Sequence, residues 1–341
     1  MIPLLYLRSS SYNTWDFCPQ KFFISYTLGM REPGNKKADK GSITHKALEL
    51  LARQKLAIQQ KRKVFEDEEL GEKWSVKKFT TDQAVDLAWK CYTKLRPTTH
   101  IWTEADLDDC RDWTYKAMTM SQGMFNPLNR IVKWPEKYFD FTIEEPWARY
   151  SYKMADGSKI EGYLGLKGTV DLVCEMEDCP GVIELVDWKT GQRKDWATGK
   201  VKEWKDLRND PQLRLYHYAL SRVCPEATEI IVTIVFINDG GAYTLDFNRS
   251  DLEVTKKILE KRFNLIRNCT RPKLIYPDWK CNRLCHFGKT MFPGTDETIC
   301  QHIKKETIAL GMDRVIQKHG DPEALRAYGD GGGRAAEQRK P

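Results

Sequence analysis

The sequence predicts an α/β fold carrying a helical insertion. Three observations predict it. Residues 138–190 hold β-rich segments separated by turn residues. EIIVTIVFI is a near-continuous apolar run of strand length, as a buried strand reads. Amphipathic helical patterns precede, separate and follow these segments. At 341 residues and 41% hydrophobic content the chain can bury a sizeable core.

The elements run as follows. Residues 1–60 open with an aromatic-rich stretch ending in Cys18-Pro19, followed by the polar REPGNKKADKG, which reads as a loop. From Ser42, a plausible N-cap, apolar residues Ile43, Ala47, Leu50 and Leu51 recur at helical spacing to about Gln60. Residues 61–135 are highly charged and form the predicted helical insertion, with helices over DQAVDLAWKCYTKL and ADLDDCRDWTYKAMTM. Residues 136–268 form the predicted core. YFDFTIEEPW, SKIEGYLGLKG, TVDLVCEM and GVIELVDWK make an antiparallel meander. A helix follows with Pro211 near its first turn, then the buried strand, then a helix capped near Ser250 or Asp251. Residues 269–310 are cysteine-rich and are expected to pack back on the N-terminus. Residues 311–341 read as a helical or disordered tail, the end being polar and Gly-rich.

Lys and Arg total 55 against 48 Asp and Glu, a net charge of +7, which permits a nucleic-acid partner without requiring one. The N-terminus lacks a basic region and a cleavage site, so no signal peptide is expected. No run approaches the roughly 18 apolar residues of a membrane span. A cytoplasmic protein is expected, and its ten cysteines are not expected to form disulfides.

The chemistry concentrates at 168–191. Strands GTVDLV and IELVDWKTG flank a turn near Cys179-Pro180. Pairing about position 179 sets Asp171 opposite Asp187. Directly opposed side chains have Cβ atoms about 4.5–5.5 Å apart, so two carboxylates there repel. A divalent cation between them reverses the sign, and oxygen ligands suit Mg²⁺ or Mn²⁺. The strand period puts Lys189 on the face of Asp187 and turns Trp188 away. The Trp188 carbonyl remains available as a hard ligand. Glu184, three positions from Asp187, faces the other side and receives no ligand role. A surface hairpin with solvated charges is the alternative, but Asp187 ends a strand that reads as buried.

These residues resemble the PD-(D/E)XK nucleases in their RecB-type form. GTVDLV and IELVDWKTG resemble the family signature. GSITHKALE, with His45, resembles its G-x-x-x-H motif, and Gln212 with Tyr216 its Q-x-x-x-Y motif. SSSYNTWDFCPQKFFISY resembles its N-terminal motif ending in Cys-Pro. The resemblance implies a restriction-endonuclease-like core, a central mixed β-sheet flanked by helices. It implies metal ligation by His45, Asp171, Asp187 and the Trp188 carbonyl, with Lys189 orienting or activating water. Gln212 and Tyr216 would support the site or touch the DNA backbone. The implied activity is phosphodiester hydrolysis by a DNA exonuclease on single strands or duplex ends, with any helicase or recombination partner a separate protein. Phage recombination or replication exonucleases and CRISPR-adaptation nucleases are the implied relatives. A non-catalytic DNA-binding or assembly subunit and an endonuclease are the alternatives.

Several RecB-type nucleases hold a 4Fe–4S cluster on one N-terminal and three C-terminal cysteines. Cys18, Cys281, Cys285 and Cys300 resemble that set. The spacing C-x3-C-x14-C departs from the common C-x2-C-x5-C, most of all at Cys300. Zinc using His286 or His302 is the rival, with Cys269 a possible substitute ligand. GKT at 288–290 does not form a phosphate-binding loop, because Arg283 stands where that loop needs glycine.

Overall fold

The long apolar runs pair into one mixed sheet. The computed structural model describes residues 1–195, 199–274 and 278–321, without the side chains of 278–280. Its strands are β1 (Tyr6–Leu7), β2 (Val64–Asp67), β3 (Glu72–Ser75), β4 (Ile131–Thr142), β5 (Arg149–Lys153), β6 (Lys159–Tyr163), β7 (Gly165–Glu175), β8 (Val182–Lys189), β9 (Glu229–Phe236) and β10 (Gly241–Phe247). The central sheet runs β1-β7-β8-β9-β10, with β4 also on β7. β7 and β8 are antiparallel, β8 and β9 parallel, and β9 and β10 antiparallel.

Period-two alternation on these strands feeds two apolar groups. Val173, Ile183, Leu185, Ile230, Val232 and Ile234 belong to one. Leu172, Cys174, Val186, Trp188 and Val235 belong to the other. Each buried aliphatic side chain contributes about 1.5–3 kcal/mol. Helices cover both groups: α1 (Ser9–Phe17), α2 (Pro19–Phe22), α3 (Lys36–Gln59), α4 (Thr81–Leu95), α5 (Glu104–Gly123), α6 (Trp204–Arg208), α7 (Pro211–Val223), α8 (Arg249–Arg267), α9 (Asp278–Leu284), α10 (His286–Lys289), α11 (Ile299–Leu310) and α12 (Met312–His319). α3, α4 and α5 supply the group containing Trp188, while α1, α7, α8, α11 and α12 supply the other.

Several expectations are corrected. The first long helix starts at Lys36, inside the segment read as a loop, because the Asn35 side chain accepts from Ala38 N–H and caps it there. The 61–135 segment contains the β2–β3 ribbon besides its two helices, and β4 begins at Ile131, within it. The β-rich region is not a simple meander: β5 and β6 pair with each other as a separate ribbon, and β4 skips them to join β7. Asn248, rather than Ser250 or Asp251, caps α8, and Asp251 completes the capping box. Within the C-terminal tail 312–319 is helical; positions 322–341 lie outside the described residues.

Candidate active site

The β7–β8 hairpin has the register read from the turn. Leu172 pairs with Val186 and Cys174 with Glu184. The ladder stops there, so Asp171 and Asp187 occupy the next position, where the strands part. Into this opening the Trp188 N–H donates to Asp171 Oδ2 at 2.9 Å. Lys189 Nζ lies 2.9 and 2.7 Å from the two oxygens of Asp187. His45 Nδ1, from α3, lies 3.3 Å from Asp171 Oδ1. Asp187 is 1% exposed.

Local packing explains why α3 arrives here. A Cβ on Gly41 would stand 2.8 Å from Thr190 Oγ1, closer than real contacts allow. The glycine of GSITH and the threonine of WKTG are therefore one contact, and it brings His45, one turn along α3, to the carboxylates. Tyr216 on α7 accepts from Gln212 Nε2 at 2.7 Å. Tyr216 also sits near enough to raise the pKa of Lys189.

The electrostatics divide the two carboxylates. Burial pushes Asp187 up, to about 6, with Lys189 opposing and Asp171 reinforcing the rise. Burial also acts to raise Asp171, but His45, Lys189 and the Trp188 N–H outweigh it and hold it below its ordinary value. His45 is raised despite burial because Asp171 faces it. Lys189 is likewise raised against burial by Asp187, Tyr216 and Asp171, so it is a persistent cation.

Sequence reasoning missed two neighbours. Glu136 on β4 has φ +48°, and the pairing of Pro135 with Leu172 and Lys137 with Val170 sets it across from Asp171. The residue is exposed as a whole, yet its carboxyl is hydrogen-bonded to Glu49. Desolvation of that carboxyl and repulsion from Glu49 push Glu136 up to about 8. The available signal was Glu49 lying one turn beyond His45 on α3. Nothing in the β4 sequence announces its left-handed turn. Glu184, given no ligand role, is buried and accepts from Thr233 Oγ1 at 2.6 Å and from Arg130.

Away from this centre, Cys18, Cys281, Cys285 and Cys300 line one pocket together with Phe17, Ile24 and Phe287. Cys18 falls there because it is the extended residue between α1 and α2, with Pro19 starting the second. Gly288 packs its Cα against Cys281, leaving no room for a Cβ. Burial and the three other thiols push Cys300 up to about 12. Neither Cys269, His286 nor His302 lines this pocket. His286 Nδ1 is 3.1 Å from Thr290 Oγ1.

A mixed sheet with carboxylates where its central hairpin opens, and a lysine two residues past the second, is the layout of a PD-(D/E)XK nuclease. The model of the PD-(D/E)XK nuclease superfamily matches residues 9–289, most of the chain, and the chain belongs to that superfamily. A crystal structure from Eubacterium rectale carrying a provisional exonuclease assignment is similar at 11% identity and a TM-score of 0.42, over 86% of this chain and 91% of that one. No curated protein matches the chain in sequence.

Proposed function

We propose that this nuclease is a Mg²⁺- or Mn²⁺-dependent DNA exonuclease acting on single-stranded or end-exposed DNA in recombination, repair or replication. The observation that carries the reading is the convergence of His45, Asp171, Asp187 and Lys189 where β7 and β8 part. Two carboxylates held together, Asp187 of them 1% exposed, with an imidazole beside Asp171, fit a hard divalent cation. Asp171, Asp187, His45 and the Trp188 carbonyl would hold it. When bound, such a cation supplies phosphoryl polarisation and a more acidic water.

The chain's own groups do the rest. Lys189 stays protonated, so its role is to orient the attacking water and neutralise phosphate charge rather than to abstract a proton. Gln212 and Tyr216 brace one side of Lys189, and His45 holds Asp171 ionised. Retention of both carboxylates and the lysine disfavours a non-catalytic subunit. The exonuclease assignment and the likeness to phage recombination exonucleases rest on the family resemblance of the motifs.

End-labelled linear and circular single-stranded DNA test the reading. Loss of linear DNA from its ends with Mg²⁺ or Mn²⁺, intact circles, and no activity in Asp187→Ala are expected. Rapid cutting of circles would point to an endonuclease. Equal activity in Asp187→Ala and wild type would remove the proposed centre.

A 4Fe–4S cluster on Cys18, Cys281, Cys285 and Cys300 is the second part of the proposal, supported by the four thiols sharing one pocket. Anaerobically purified protein is expected to absorb broadly near about 400 nm. A colourless protein containing zinc would replace the cluster with that metal.

A further inference from the structure

His302 was a candidate ligand beside the cysteines, but it lies with a different set. On α11, His302 and Glu306 are four residues apart and share a helix face. From α12, His319 meets the same carboxylate. His302 Nε2 is 3.5 Å from Glu306 Oε1, and His319 Nε2 contacts Glu306 Oε2. One ligand atom from each of the three groups lies within 4.8 Å of the others. All three side chains are mostly buried, at 16%, 14% and 11% exposure.

The surroundings look built for the imidazoles. Phe292 stacks on His302 at 3.9 Å between centroids and meets His319 edge-on at 5.6 Å. Glu297 Oε2 lies 3.2 Å from His302 Nδ1, and Lys305 holds the other Glu297 oxygen at 2.9 Å. The segment carrying these groups is fixed by Phe292 N–H donating to the Glu297 carbonyl and by the Thr298 cap on α11.

The hydrogen-bond chemistry then becomes specific. A neutral imidazole has one N–H and one lone pair. Glu297 at Nδ1 and Glu306 at Nε2 put a carboxylate against each ring nitrogen of His302, an arrangement that a proton or a metal ion at Nε2 would satisfy. A carboxylate behind a histidine is also the usual arrangement that fixes the tautomer of a metal-bound imidazole. Tetrahedral zinc with N and O ligands separates its ligand atoms by about 3.4 Å, close to the 3.5 Å between His302 Nε2 and Glu306 Oε1. Lys318 also touches Glu306, but its side chain is 54% exposed and can swing into solvent.

We propose that His302, Glu306 and His319 form a zinc site, separate from the nuclease centre and from the thiol pocket, which clamps α11 to α12. Water completes the tetrahedron. The clamp fixes the register of α11, the helix that also carries Cys300. An ion-pair cluster that binds only protons is the competing account, and zinc binding decides between them.

The test uses the full chain, stripped with a chelator, reloaded with Zn²⁺ and desalted, with zinc per chain measured in wild type, His319→Gln, Glu306→Gln and Cys281→Ser. Circular dichroism checks the fold of each. Both His319→Gln and Glu306→Gln are expected to hold one zinc fewer than wild type. Adding His319→Gln to Cys281→Ser is expected to remove one more. The zinc X-ray absorption spectrum of wild type is expected to show imidazole scattering that weakens in His319→Gln. Equal zinc content and an unchanged imidazole signal in wild type and His319→Gln would overturn the site. If neither variant folds, the spectrum of Cys281→Ser combined with His45→Ala and Asp187→Asn decides: imidazole scattering there supports the site, and its absence rejects it.

Discussion

At the scale of single residues, the decisive feature is two carboxylates kept close where β7 and β8 part, with His45 on one and Lys189 on the other. Asp187 is nearly fully buried, and Lys189 and, more distantly, His45 are the cations that act on it. On the proposed function, a cation bound there would stabilise the folded state through differential binding. Mg²⁺ is expected to raise the melting temperature of wild type and to leave that of Asp187→Asn unchanged, a comparison scanning fluorimetry reads directly. Lys189→Ala is expected to lower nuclease activity at least about 100-fold, with the fold retained, since Lys189 lies at the strand end rather than in the core. Tyr216→Phe removes the acceptor of the Gln212 amide. It is expected to cost about 1 kcal/mol in urea denaturation, and a cost near zero would show that the pair contributes nothing to the fold.

Between elements, the α3–β8 contact matters most. Gly41→Ala would ordinarily stabilise a helix by about 1 kcal/mol. Here the new Cβ meets Thr190 Oγ1, next to Lys189, so the substitution is expected to depress activity. Adding Thr190→Ala removes the obstructing oxygen and is expected to restore most of it; a double variant as impaired as the single one would refute the contact as the cause. On α7, burial lowers His217 to about 4, where it stacks on Phe247 at 4.9 Å. Below its unfolded value near 6.5 the unfolded chain binds a proton that the folded chain does not. Stability contributed by neutral His217 is thus full above about pH 6.5 and declines toward pH 4, by about 3 kcal/mol. Urea denaturation of His217→Phe is expected to show a shallower loss over that window.

Over the whole molecule, the N-terminal segment packs against α11 and α12. Ile2, Leu4 and Leu7 share one apolar group with Ile303, Val315 and Ile316, and Asp321 N–H donates to the Leu28 carbonyl. Cys18 and the C-terminal cysteines therefore meet on a junction that already has its own core. Cys18→Ser is expected to lose the absorption near about 400 nm and to melt at a lower temperature, while keeping native circular dichroism. Among the described residues no helix is long and apolar enough to cross a membrane.

Much of the centre was legible because strand chemistry is local. The apolar run into Asp187, the period of two and a turn near Cys179 suffice to place Asp171, Asp187 and Lys189 together, and β7–β8 has that register. The sheet order was not legible: β5–β6 interrupts the chain between β4 and β7, and which strand an edge joins is a long-range choice made by burial. Glu136 was hidden for a related reason, since its position depends on one left-handed residue in β4. The start of α3 was misplaced because the polar REPGNKKADKG reads as a loop, when its last residue, Gly41, is the point where the helix touches Thr190. By itself the sequence determined the fold class and the acidic hairpin, because these follow from residue type and short spacing; the four-cysteine set came only from the family resemblance. Only the tertiary structure decided which distant groups converge. It placed His302 with Glu306 and His319, away from the cysteines, because helix packing between α11 and α12, rather than nearness in sequence, sets which side chains share a carboxylate.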